Sequence, residues 1–134
     1  MRVKLAVLAG VVCAGVLAAP LEHSRWLYFA FSFVCHQQPE RSLWVAGLPL
    51  AVCSRCAGIH LGALLGLLSN LPSRRSALLA ALVLMTLDWA TEAAGMRPAW
   101  LTLRFLTGAL AGFAVAPVVL EGGTALLAAP YRRV

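Results

Sequence analysis

Four apolar runs, separated by short stretches that carry most of the basic residues, constrain this chain more than any other feature. They cover residues 5–20, 53–71, 76–94 and 100–120. A helix needs about 20 residues to cross the hydrocarbon core of a bilayer, within a range of about 17–25. The third and fourth runs meet that directly, and the first and second are marginal. In lipid the backbone must bond to itself, so each run reads as a helix. Only 12% of the 134 residues are charged and 61% are hydrophobic, where a soluble domain carries roughly 25% charged residues. The solvent of this chain is therefore largely lipid. A net charge of +6 would suggest nucleic acid for a soluble protein. Here the basic residues cap apolar runs instead, so nucleic acid is not an expected partner. The expected fold is all-α, an integral membrane helical bundle of about four transmembrane helices in a single domain.

The basic residues also set an orientation. Arg2 and Lys4 precede the first run, Arg74 and Arg75 join the second to the third, and Arg132 and Arg133 close the chain. An even number of spans puts all three groups on one side, which the positive-inside rule makes the cytoplasm. Both termini, including a tail over 121–134, are then cytoplasmic in a multi-pass protein of the plasma (inner) membrane. Arg25, Arg41, Arg55 and Arg97 fall in the opposite loops, and Trp26, Trp44, Trp89 and Trp100 gather near that outer boundary as an interfacial belt. The first run also resembles a secretory signal, with Leu17-Ala18-Ala19 as a cleavage-like end. Pro20 directly after that end disfavours cleavage, and Val11-Val12 before Cys13 are wrong for a lipoprotein signal. A retained anchor is the preferred reading.

Residues 21–52 form an outer lid rather than a linker. The apolar stretch 26–34 is too short to cross and suits a re-entrant or interfacial helix. Pro39 opens a second short helix with Glu40 in its first turn and Gly47 near its end. Leu48-Pro49 then imposes an extended approach to Cys53.

Cys35-His36 in the lid and Cys53-Ser54-Arg55-Cys56 at the start of the second run bring thiols and imidazole to the mouth of the bundle. Ser54 as N-cap would place both cysteines at a helix N-terminus, where the partial positive charge favours thiolate. Three readings stay open. Cys35, His36, Cys53 and Cys56 supply the ligand set of a closed structural zinc site, with His60, one turn after Cys56, as the alternative nitrogen ligand. A thiol–disulfide oxidoreductase using Cys53 and Cys56, with Cys35 as shuttle and a quinone as acceptor, is the second. A disulfide that pins the lid to the bundle is the third. Cys13, alone in the first run, reads as packing, and His23 as a surface residue.

Asp88 and Glu92 are four residues apart on one face of the third run, and Arg104 is one turn into the fourth. Charges at membrane depth cost about 2.5–3.5 kcal/mol each on insertion scales, so they face partners or a wet cavity. Arg104 with Asp88 is the expected pair, either fixing helix register or serving a small transporter or lipid-binding module. Gly58, Gly62 and Gly66, with Gly108 and Gly112, form stripes that let helices approach closely in lipid. They predict contact between the second and fourth runs, and they offer faces for oligomers.

At these residues the chain resembles a prokaryotic membrane family known as domain of unknown function 2085. Its recurring features are Cys-His-Gln leading to Arg-Ser, then Cys-x-Arg-Cys, a small residue and Gly opening a glycine-spaced helix. Cys35-His36-Gln37, Arg41-Ser42 and Cys53-Ser54-Arg55-Cys56-Ala57-Gly58 match them. Asp88 and Arg104-Phe105-Leu106-Thr107-Gly108 match the family's later Asp and Arg-x-x-Thr-Gly. His60 stands where the family pattern has an aromatic Tyr. The resemblance implies membrane residence and groups Cys35, His36, Arg41, Cys53, Arg55, Cys56, Asp88 and Arg104 as one site; it implies no particular activity. The sequence thus predicts a membrane protein with an outward-facing, mainly structural zinc site.

Overall fold

The computed structural model describes residues 1–69 and 71–128, and of Leu127 and Ala128 only the backbone. Its five helices are α1 (Arg2–Leu21), α2 (Arg25–Ser32), α3 (Ser54–Leu68), α4 (Arg75–Ala93) and α5 (Leu101–Ala128). The four apolar runs are recovered as α1, α3, α4 and α5. Of these, α1, α4 and α5 are long and apolar enough to cross a membrane, and α3 is apolar but shorter at 15 residues. α4 starts at Arg75, past Pro72, which cannot continue a helix from α3. The fifth runs past Leu120 through residues 121–128, where a tail was expected, with Pro117 held inside it. Residues 129–134, including Arg132 and Arg133, lie outside the described residues.

Glycine decides the packing. A Cβ on Gly62 would fall well inside van der Waals contact distance of the Ala109 carbonyl oxygen, and one on Gly58 would do the same at Phe105. Gly108 and Gly112 stand equally close to the carbonyls of Arg55 and Ile59. The two stripes thus interlock as the sequence predicts, and since both numberings rise together, α3 and α5 run parallel.

Helices α1 and α4 run the other way. Leu5, Ala6 and Ala9 of α1 pack on Leu67, Ala116 and Leu120 at one end of the bundle. Val16 packs near Leu50, Val52 and Ala57 at the other. Ser73, just before α4, bonds Glu121, while Glu92 near the end of α4 meets Arg104 at the start of α5. The first residues of α1, the α3–α4 connection and the C-terminal part of α5 therefore share one end. The lid and the cysteines share the opposite end. Outward faces of α1 and α4 are apolar, with Val7, Leu8 and Val11 on one and Leu79, Val83 and Leu87 on the other all exposed. On a membrane bundle such faces meet lipid.

The lid departs from expectation in one respect. Its first helix, α2, is where residues 26–34 place it. Pro39, however, opens only a single 3₁₀ turn, Pro39–Arg41, and β1 (Trp44–Val45) and β2 (Leu48–Pro49) then pair as an antiparallel hairpin. The hairpin turns through Ala46 and Gly47, whose φ values are 51° and 80°. Positive φ at both central residues matches the twist of a two-residue hairpin, so Gly47 makes a strand turn instead of ending a helix.

Candidate metal centre

Two chain segments bring three cysteines together. Cys35 follows α2, where the backbone N–H groups of Val34 and Cys35 both bond the Phe31 carbonyl and close the helix. Gln37 has a φ of 51° and turns the chain back beneath α2. Its Nε2 donates to the carbonyls of Tyr28 at 2.6 Å and Ala51 at 2.8 Å. The Tyr28 hydroxyl donates to the Pro49 carbonyl. These bonds tie the lid to the strand that delivers Cys53, without a disulfide. Cys53, not Ser54, is the N-cap residue of α3; Ser54 is the first helical residue, and its buried hydroxyl has no protein partner.

The Sγ atoms of Cys35, Cys53 and Cys56 all lie within 4.8 Å of one another. All four cysteines of the chain are free thiols. Tetrahedral zinc with Zn–S bonds near 2.3 Å sets its sulfurs about 3.8 Å apart. The trio needs a contraction of about 1 Å or less to reach that geometry. The backbone N–H of Cys53 donates to the Cys35 sulfur at 3.1 Å. The Cys53 thiol, just outside α3, has its pKa lowered, chiefly by the hydrogen bond from the Cys56 thiol and against its own partial burial. A thiolate is the form that binds metal.

The trio opens on a cavity of about 340 Å³ whose wall includes His36, Gln38, Arg41, Arg55, Trp89 and Arg104. His36 thus faces the same space, yet its imidazole is not among the clustered ligand atoms. Cys35 is buried and His36 exposed, because neighbouring side chains on this backbone diverge. His60 lies elsewhere, half-buried in apolar cavities that α3 forms with α1, one of which it shares with Cys13. His60 is one turn further along α3 than Cys56 and lines cavities against α1, not the space beside the trio.

Beneath the cavity lies a network of six charges. Asp88, buried, accepts from Arg55 and Arg97 and, at 3.3 Å, from the Thr107 hydroxyl. Arg104, also buried, grips Glu92 with two bonds of 2.7 and 2.9 Å. Glu92 also lies 3.9 Å from Arg55 and 3.6 Å from Arg41. The expected Arg104–Asp88 pair is therefore replaced by Arg104–Glu92. The reason is register: α4 and α5 are antiparallel, so the first turn of α5 meets the last turn of α4, and Asp88, one turn deeper, meets Thr107. Arg97 was not anticipated as a site residue. Gly95, with φ at 69°, reverses the chain after α4, and Arg97 folds back over Asp88 while stacking on Trp100 at 5.6 Å.

Comparison with known proteins agrees with the motif-based resemblance. Residues 35–118 match the family model described as Predicted membrane protein (DUF2085). An uncharacterised protein of Methanocaldococcus jannaschii is 38% identical over 104 residues, covering 70% of this chain and 66% of its own length. An uncharacterised protein of Methanothermobacter thermautotrophicus is 38% identical over 93 residues, covering 64% of this chain and 84% of its own. No solved structure matches. The matched span begins at Cys35 and takes in the whole trio and all of the charge network: this chain belongs to the predicted membrane protein family DUF2085.

Proposed function

We propose that this membrane protein binds zinc through Cys35, Cys53 and Cys56, with the fourth coordination position directed at the polar cavity. The carrying observation is the convergence of three free sulfurs, from two separate segments, within 4.8 Å. Three thiolates leave zinc one open position, filled from the cavity by water, by His36 after a side-chain rotation, or by a ligand. The lid is then fastened to the bundle by the metal, which contributes folding energy outright. Arg2, Lys4, Arg74 and Arg75 gather at the end of the bundle away from the cysteines, which supports a cytoplasmic location for that end and an outward-facing metal centre. In this orientation α3 makes a fourth crossing, shielded by α1 and α5.

The test is elemental analysis of detergent-purified protein with thiol counting on the same sample. About one zinc per chain, with three thiols that react only after chelation, is the expected result. No metal in protein purified without chelator overturns the proposal.

One observation favours a second reading. Cys53 and Cys56 hold their Sγ atoms within 4.8 Å of each other at the start of α3, and the lowered Cys53 pKa favours the thiolate that thiol–disulfide chemistry needs. Closing the Cys53–Cys56 disulfide would release two electrons. With the Cys56 proton and one from water, they reduce a quinone to its quinol. Recovery of the pair as a disulfide, with quinone consumption lost in Cys56→Ser, would select this reading over the first.

A further inference from the structure

The charges around the cavity do not balance. Among the described residues, the anions that Arg41, Arg55, Arg97 and Arg104 pair with are Asp88 and Glu92. Both oxygens of Asp88 are engaged by Arg55 and Arg97, and both of Glu92 by Arg104. Arg41 is left with a single contact of 3.6 Å and a half-exposed side chain. Arg55 keeps its buried Nε without a partner. Four cations against two anions leave a surplus of two. Zinc held by three thiolates carries one net negative charge, which still leaves a surplus of one. Uncompensated charge at membrane depth is costly, and here it borders a cavity that also presents His36 and Gln38. The free donors on that wall are guanidinium, imidazole and amide groups, which suit an oxyanion with several acceptor oxygens.

We infer that the cavity beside the cysteine trio binds a phosphate group, with Arg41 as its principal ligand and Arg55 as support. The inference rests on the cavity of the proposed metal centre, and zinc alters the size of the charge surplus but not its sign. The phosphate belongs either to a soluble anion or to a lipid headgroup entering past Trp89, which is exposed on α4 beside the cavity.

The experiment is equilibrium dialysis of radiolabelled inorganic phosphate against detergent-purified protein whose zinc content is measured. In parallel, thermal midpoints are recorded in nanodiscs of phosphatidylcholine with and without phosphatidic acid. Arg41→Gln should weaken phosphate binding at least tenfold, Arg41→Lys should recover part of it, and Arg25→Gln on the exposed face of α2 should change it less than twofold. Saturable free phosphate identifies a soluble ligand. A midpoint raised only by phosphatidic acid, and no longer raised in Arg41→Gln, identifies the lipid headgroup. The inference is overturned if neither probe binds, or if Arg41→Gln and Arg25→Gln weaken binding equally, since that would be bulk charge. Phosphate binding in zinc-free protein keeps this site and defeats the metal centre; zinc without either anion does the reverse.

Discussion

Asp88→Asn isolates the charge network most sharply, since it removes a charge while nearly preserving shape. The Asp88 side chain is 2% exposed and takes Arg55, Arg97 and the Thr107 hydroxyl. Asparagine can accept from one of these but neutralises neither guanidinium. Removing one partner from a buried ion pair costs about 3–5 kcal/mol, because a charge is left buried and uncompensated. Arg55 and Arg97 are 15% and 14% exposed, so part of their charge reaches water, and Glu92 lies 3.9 Å from Arg55. Both effects place the loss at the low end, about 3 kcal/mol. That is on the order of a 150-fold shift in the folding equilibrium. Reversible unfolding in mixed micelles, followed by tryptophan fluorescence, reads it directly. The double variant Asp88→Asn/Arg97→Gln should recover about 1 kcal/mol by deleting one orphaned cation. A loss below about 1 kcal/mol for Asp88→Asn, or no recovery in the double variant, would refute the assignment of Asp88 as the anchor of the network.

The other expectations concern packing and thiols. Gly62→Val places side-chain atoms against the Ala109 carbonyl; the α3–α5 seam should lose about 3 kcal/mol or more, seen as a lowered thermal midpoint, whereas Gly10→Ala, with open space around it, should leave the midpoint unchanged. Cys13→Ala should cost less than about 1.5 kcal/mol and leave the zinc content intact, while Cys35→Ser should abolish zinc binding. In metal-free protein, the depressed pKa of Cys53 predicts alkylation by iodoacetamide that persists below the ordinary thiol range, with Cys53 as the labelled site by mass spectrometry. The same depression stabilises the folded state above the ordinary thiol pKa, and that increment is lost as pH falls through the lowered value.

What the sequence shows of this molecule is what one-dimensional spacing can encode. Apolar length marks α1, α4 and α5, and a four-residue glycine period marks the α3–α5 seam, because both are properties of a single helix. The convergence of Cys35 with Cys53 and Cys56 is suggested by residue type, and adjacency alone makes His36 the weaker ligand beside Cys35, though not which of the two turns away. That divergence depends on the local backbone, where Gln37 adopts positive φ. The pairing of Arg104 with Glu92 instead of Asp88 is a matter of antiparallel register, which no single-helix pattern fixes. The role of Arg97 is hidden in the sequence for a related reason. A loop arginine reads as a solvated charge until the Gly95 turn is known to fold it over Asp88. The hairpin in the lid was hidden by Pro39, which announces a helix start but supports only one 3₁₀ turn before Ser42 extends.

The central claim is a three-sulfur metal centre with one position open to the cavity, and zinc K-edge X-ray absorption on the purified, metal-loaded protein tests it most directly. The account predicts three sulfur scatterers at about 2.3 Å and one nitrogen or oxygen scatterer at about 2.0–2.2 Å, with the sulfur shell lost in Cys35→Ser. A first shell of nitrogen and oxygen alone would contradict it, because the trio would then hold no metal. A four-sulfur shell would contradict it equally, since Cys13 lines a separate cavity against α1 and the fourth sulfur would have to come from another molecule.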